Sequence, residues 1–133
     1  MVLIDSSVWV EFFGANPSPE IAYLDQLILE KKIATCLPIM AEVLSGAMSN
    51  RTRTIVKESF ESMVFIDLDW KSKDVWEQLA LLAEAAKKKK IGVPGIVDRM
   101  IILSAINANM GIWSFDKRLN QLARALEAQL YIH

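Results

Sequence analysis

Four carboxylates stand where the surrounding sequence gives little reason for a charge. Asp5 follows the apolar run Val2-Leu3-Ile4, Asp116 follows Ile112, Trp113 and Phe115, and Glu42 and Asp98 interrupt otherwise apolar helical stretches. An isolated carboxylate drawn towards a core is costly unless it is paired or bound to a cation. Four of them converging would repel one another, and a divalent ion is the natural remedy. With one His and one Cys the chain lacks the ligands of the usual zinc sites, so a metal must sit on oxygen. Oxygen ligands point to Mg²⁺, with Mn²⁺ as a substitute. Asp98 also falls in the first turn of a predicted helix, where the dipole favours negative charge. Such an ion suits phosphodiester hydrolysis, because it polarises the phosphoryl group and acidifies a water that attacks in line. No His, Cys or Ser nucleophile is then required, and the sequence offers no triad.

The elements that must position these acids follow from spacing. Val2–Ile4 reads as a strand, and Ser6-Ser7 cap a helix through Val8, Trp9, Phe12 and Phe13. Asn16-Pro17-Ser18-Pro19 breaks the chain, with Ser18 the expected N-cap and Pro19 the first position of a helix carrying Ile21, Leu24, Leu27 and Ile28. Residues 33–37 form a short strand, and Pro38 opens a helix that places Glu42 one turn inside. A polar helix over 51–63 precedes a strand at 64–66. The next helix begins near Trp70 or Lys71, carries Val75, Trp76, Leu79, Leu82, Ala83 and Ala86 on its apolar face, and ends in the lysines at 87–90. A helix over 96–109 is stopped by Gly111, then come a strand at 112–115, a helix over 117–126 and a last strand at 130–132. Short apolar strands alternating with helices are the pattern of βαβ units. The expected architecture is α/β: a three-layer α/β/α sandwich with a mainly parallel sheet of four to five short strands, forming one domain over 1–133. In such sheets ligands gather beyond the carboxyl ends of the strands, where the strand order switches direction, and Asp5 and Asp116 occupy such ends.

Composition narrows the setting. A chain of 133 residues, 53% apolar and 23% charged, supports one core. Lone Cys36 excludes an intramolecular disulfide and fits a reducing compartment. No apolar run approaches the roughly 20 residues of a membrane span, and no basic segment leads into an apolar one at the N-terminus, so cytoplasmic residence without a membrane partner is expected. The near-zero net charge hides an asymmetry: residues 1–70 carry 10 acids and 5 bases, residues 71–133 carry 6 acids and 10 bases.

Ile4-Asp5-Ser6-Ser7-Val8-Trp9, Pro38 followed by Glu42 and Gly46, Asp98 near its helix start, and Ser114-Phe115-Asp116-Lys117-Arg118-Leu119 resemble the four acidic motifs of PIN domains. In order and spacing (37, 56 and 18 residues between successive acids) they resemble the VapC toxins of type II toxin–antitoxin systems, over essentially the whole chain. The resemblance implies a Mg²⁺-dependent endoribonuclease that cuts structured cellular RNA and arrests growth. Asp5, Glu42, Asp98 and Asp116 would form the acidic pocket, Asp5 and Asp98 as direct metal ligands and the other two direct or through water. Ser114 matches the family's Thr or Ser two residues before the last acid, where its hydroxyl would orient a water or a carboxylate, and Ser6 would do the same beside Asp5. Trp113 and Phe115 depart from the pattern with bulky rings on either side of Ser114. A cognate VapB-like antitoxin is implied, wrapping the helical surface and placing a basic side chain among the carboxylates, as is a homodimer.

Plainer readings stand beside these. Asp5 and Asp116 could be helix caps, Asp98 a dipole partner, Glu42 a solvent-facing helix residue, and Ser6 and Ser114 turn hydroxyls. Asp67 and Asp69 are expected to cap the helix near Trp70. The lysines at 87–90 read as a solvated helix end, with phosphate contact the alternative. Arg99, Lys117 and Arg118 adjoin proposed ligands and are candidates to hold RNA phosphates. Trp9, Trp70, Trp76 and Trp113 are expected in the core, with base stacking the lesser option. Phe12, Phe13, Phe60 and Met63 are candidates for a dimer or antitoxin surface, and His133 is assigned nothing. Two rival functions remain open: a receiver-like signalling domain phosphorylated at Asp67, and a catalytically silent RNA-binding module.

Overall fold

Val2-Leu3-Ile4 lacks the alternation of a half-exposed strand because all three residues are buried, Leu3 and Ile4 completely. They form β1 (Val2–Ile4), the middle strand of a five-stranded, wholly parallel sheet in the computed structural model, which describes residues 1–46 and 48–131. The remaining strands are β2 (Ile33–Thr35), β3 (Val64–Phe65), β4 (Gly111–Trp113) and β5 (Gln129–Leu130), in spatial order β3-β2-β1-β4-β5. Leu3 lies between Ala34 and Ile112 in register. The helices are α1 (Ser6–Phe12), α2 (Ile21–Leu29), α3 (Leu37–Leu44), α4 (Asn50–Glu61), α5 (Lys73–Lys88), α6 (Ile96–Ala108) and α7 (Lys117–Ala125). Parallel neighbours require helical crossovers, so helices cover both sheet faces and the architecture is the expected α/β one. The chain builds outward from β1 to β3 on one side, then passes back to β4 and β5 on the other. The switch therefore falls between the carboxyl ends of β1 and β4.

Trp9, Leu24, Ile39, Phe60, Ile101, Ile102 and Leu119 close the core around Leu3, Ile4 and Ile112. A smaller cluster of Val75, Leu79 and Leu103 joins α5 to α6, with Leu68, Trp70 and Met100 against it. No described helix is long and apolar enough to cross a membrane.

Several boundaries differ from the sequence expectation for identifiable reasons. The helix after Pro19 starts at Ile21, with Glu20 as its N-cap; the Ser18 carbonyl accepts from the Ile21 N–H in a turn, and the Ser18 side chain binds Glu11 instead of capping. Helix α5 starts at Lys73, after Ser72. Helix α6 ends on Asn109 in the left-handed region (φ 54°), not on Gly111. Gly111 opens β4, where a side-chain carbon would lie 3.3 Å from the Tyr131 backbone nitrogen. Asp67 caps α3 rather than the helix that follows it: both its carboxylate oxygens accept from the Leu37 N–H (2.9 and 3.0 Å), and Oδ1 also accepts from the Trp70 indole (2.7 Å). That is a consequence of parallel pairing, which brings the residue after β3 beside the start of the helix after β2. The Asp69 carboxylate accepts from the nearby Lys71 N–H and its carbonyl from the Ser72 N–H. Trp76 is 43% exposed and so not core, whereas Phe60, at 1%, is core and not surface. The predicted last strand ends at Leu130, and Ile132 and His133 lie outside the described residues.

Candidate active site

Asp5 occupies the corner between β1 and α1. Its backbone has N-cap geometry and its carbonyl accepts from the Val8 and Trp9 N–H groups, yet its side chain makes no capping bond. The carboxylate instead turns across the switch point, where Oδ2 accepts from the Ser7 hydroxyl (2.9 Å) and the Ser114 hydroxyl (2.6 Å). Asp5 is 4% exposed and Ser114 is buried, so these bonds replace water for a desolvated charge. The Ser114 and Ser7 oxygens accept in turn from the backbone N–H groups of Asp116 and Phe115, both at 3.0 Å. Asn120 donates to the Ser114 carbonyl (2.9 Å) and braces the same bend.

Asp116 stands at the N-cap of α7 and does cap it, Oδ1 accepting from the Arg118 and Leu119 N–H groups (2.9 and 3.3 Å). Its plainer reading is thus realised, and Oδ2 takes no part in that cap. Asp98 lies half-buried in the first turn of α6. Glu42 reaches in from α3, its Oε1 accepting from the Ser6 hydroxyl at 3.2 Å. Asp5, Ser6, Ser7, Glu42, Asp98 and Asp116 all line one cleft of about 400 Å³. Ser6 therefore serves Glu42, and Ser7, read from sequence only as part of a helix cap, is the hydroxyl that holds Asp5. Glu11 also lines the cleft while binding the Ser18 N–H and hydroxyl (3.3 and 2.7 Å); nothing in its sequence context marked it.

The charges oppose one another. Partial burial and then Asp5 push the Glu42 carboxyl up, with Asp98 and Asp116 adding and the Ser6 hydrogen bond working against them. Partial burial, Asp5 and Asp116 push the Asp98 carboxyl up, opposed by Arg118. The only ion pair among the described residues is Lys32 with Glu30, far along the chain from the cleft residues. Exposed Arg118 offsets only part of the cluster's charge, and the hard oxygen donors fit a hard divalent cation. Among the described residues, no three acidic, His or Cys groups close on a point as a ready cage; the four acids line walls.

The basic candidates divide. Arg118 and Lys117 are both exposed and neither lines the cleft, but the charge of Arg118 acts on Asp98. Arg99 is a fastening: its guanidinium donates to the Pro94 and Leu79 carbonyls (3.0 and 2.9 Å), tying α6 to α5, which leaves it poorly disposed for RNA. Of the lysines at 87–90, all exposed, Lys89 donates to the Ala125 carbonyl at the end of α7. Trp113 packs in the core against Tyr131, and Phe115 lies on the cleft wall without filling the space.

The sequence profile of the PIN domain matches residues 2–125. The chain belongs to the PIN-domain family. Over 131 residues this PIN domain is 30% identical to VapC ribonuclease Mb1587 of Mycobacterium bovis and to Ribonuclease VapC11 of Mycobacterium tuberculosis, covering 97% of this chain and 96% of each relative. Its fold is shared with the crystal structure of FitAcB from Neisseria gonorrhoeae (TM-score 0.73, 19% identity, 99% of this chain and 97% of that one). The structure of FitAB bound to an IR36 DNA fragment is similar too (TM-score 0.72, 19% identity, 98% and 94%).

Proposed function

We propose that this PIN domain is a Mg²⁺-dependent endoribonuclease toxin of the VapC type, acting in the cytoplasm as one domain over 1–133. The observation that carries the reading is the arrival of Asp5, Glu42, Asp98 and Asp116 in one cleft at the switch point of the sheet, with burial first and mutual repulsion second raising Glu42 and Asp98. Asp5 and Asp98 would hold the ion directly, and Glu42 and Asp116 directly or through water. Bound there, Mg²⁺ or Mn²⁺ would offset the negative charge, polarise the scissile phosphate and acidify the attacking water. The chain's own groups do the positioning. Ser7 and Ser114 fix Asp5, Ser6 steadies Glu42 at the rim, and the cap of α7 sets Asp116. Arg118 and Lys117, exposed beside the acids, would steer and hold the RNA backbone.

The receiver-like alternative is disfavoured because Asp67 is spent on the Leu37 N–H and the Trp70 indole. A silent module is disfavoured by the open cleft. Partners follow from the same family reading: a VapB-like antitoxin and a second copy of the chain. Leu37, Ile96 and Val97 expose apolar surface near the cleft for a second copy. Half-buried Phe12, Phe13 and Met63 line a separate cavity of about 610 Å³, a place for a partner's apolar segment.

Purified protein is expected to cleave RNA with Mg²⁺ or Mn²⁺, to stop in chelator, and to stay inactive as Asp98→Asn with metal restored. Cleavage that continues undiminished in chelator would overturn the reading.

A further inference from the structure

The hydrogen bonds around Asp5 can be counted proton by proton. Ser7 and Ser114 each own one hydroxyl proton, and each is directed to the same carboxylate oxygen, Asp5 Oδ2. Each hydroxyl oxygen receives one backbone N–H, Phe115 onto Ser7 and Asp116 onto Ser114. The two oxygens lie 3.2 Å apart, and with both protons committed to Asp5 neither donates to the other. Two parallel relays therefore run from the β4–α7 bend into one oxygen of the β1–α1 corner. Oδ1 takes no part in either relay, and Asp5 lines the cleft.

We infer that Ser7 is a positioning residue: with Ser114 it saturates Asp5 Oδ2, so that Oδ1 alone is presented to the cation, and through the Phe115 N–H it sets the bend that carries Asp116. The inference rests on the proposed nuclease reading of the cleft. It differs from a helix-capping role for Ser7, because a cap would bind backbone N–H groups of α1 itself, whereas Ser7 donates to the Asp5 carboxylate and accepts from the Phe115 N–H, 108 residues away. It also makes Ser7 and Ser114 unequal to ordinary turn hydroxyls. Removing either leaves a buried carboxylate oxygen with one donor and frees the carboxylate to rotate.

The test measures Mn²⁺ binding by calorimetry or by the electron paramagnetic resonance of free Mn²⁺, beside RNA cleavage and thermal unfolding in chelator. Ser7→Ala is expected to weaken Mn²⁺ binding about tenfold, the lower end of what loss of a ligand's hydrogen-bond partner costs. It should lower kcat at saturating metal while leaving KM for RNA within about twofold, because the RNA-holding basic groups are untouched. Ser7→Thr, which keeps the hydroxyl, should restore both; Ser7→Val, which matches Thr in shape without the proton, should not. The Thr and Val pair keeps the inference decidable if Ser7→Ala unfolds. Ser7→Ala or Ser7→Val that is less stable in chelator but binds Mn²⁺ as wild type does would overturn the inference and leave the nuclease reading standing. A wild-type protein that binds no Mn²⁺ and cuts no RNA would overturn both.

Discussion

Neutralising Asp98 should stabilise the metal-free protein while destroying its function. Asp98 sits half-buried in the first turn of α6 and shares a cleft of about 400 Å³ with Asp5, Glu42 and Asp116. Two unit charges about 7 Å apart repel by roughly 0.6–2.4 kcal/mol for effective dielectrics of about 80 to 20. Against the repulsion stand the helix dipole, about 0.3–1 kcal/mol, and Arg118, at most about 1 kcal/mol for an exposed pair. The carboxyl is pushed up, so repulsion and desolvation win, and after screening by salt Asp98→Asn is expected to gain about 1 kcal/mol, or about 4 °C in Tm. The folded protein binds this proton more tightly than the unfolded chain does. The contribution of this group to wild-type stability in chelator is therefore fully present below the ordinary aspartate value of 3.8 and is lost as pH rises through the higher folded-state value. The variant's advantage should open over that window and persist to neutral pH. Saturating Mg²⁺ should reverse the ranking, since at about a hundred times its Kd a ligand adds roughly 2.7 kcal/mol to a protein that binds it. Thermal unfolding of both proteins at pH 3 and pH 7, in chelator and in Mg²⁺, decides the matter. Asp98→Asn that is less stable than wild type in chelator at pH 7, or equally stabilised by Mg²⁺, would refute the reasoning.

Two further outcomes are expected. Asp67→Ala removes the acceptor for the Leu37 N–H and the Trp70 indole and should cost about 1–3 kcal/mol in urea unfolding, with Asp67→Asn recovering part of it. Burial first, with Asp67, Glu42 and Asp5 adding, pushes the Cys36 thiol up to about 12, so iodoacetamide at pH 8 should label it in urea and barely at all in the native protein, as mass spectrometry would show.

The strands and the four acids were legible because parallel burial and interrupted apolar runs leave marks in single segments: Val2-Leu3-Ile4 ending in Asp5 is one, and Ile112-Trp113 before Asp116 another. What could not be read are relations between segments. Asp67 looks like a cap for its own downstream helix, and only the pairing of β2 with β3 delivers it to Leu37. Ser6 and Ser7 look interchangeable in Ser6-Ser7, yet one helical step of 100° sends the first hydroxyl to Glu42 and the second to Asp5 and Phe115. Arg99 looks like a phosphate ligand beside Asp98 for the same reason in reverse: adjacent on the chain, it points to α5. Gly111 carries the ordinary signature of a helix stop, and the close approach of the Tyr131 backbone, just beyond the next strand, leaves no mark in that segment.

The order β3-β2-β1-β4-β5 has a bearing on synthesis. Asp5 leaves the ribosome before its partner Ser114, which lies 109 residues later on, and the strand that brings Ser114, β4, pairs with β1 on the side away from β2 and β3. A nascent chain halted before residue 111 holds a half-sheet with Asp5, Glu42 and Asp98 but no Ser114 or Asp116. A cell translating this protein meets the assembled cleft only once the β4–α7 bend has emerged, which gives any protein that binds it the time of elongation from residue 5 to residue 116 to arrive.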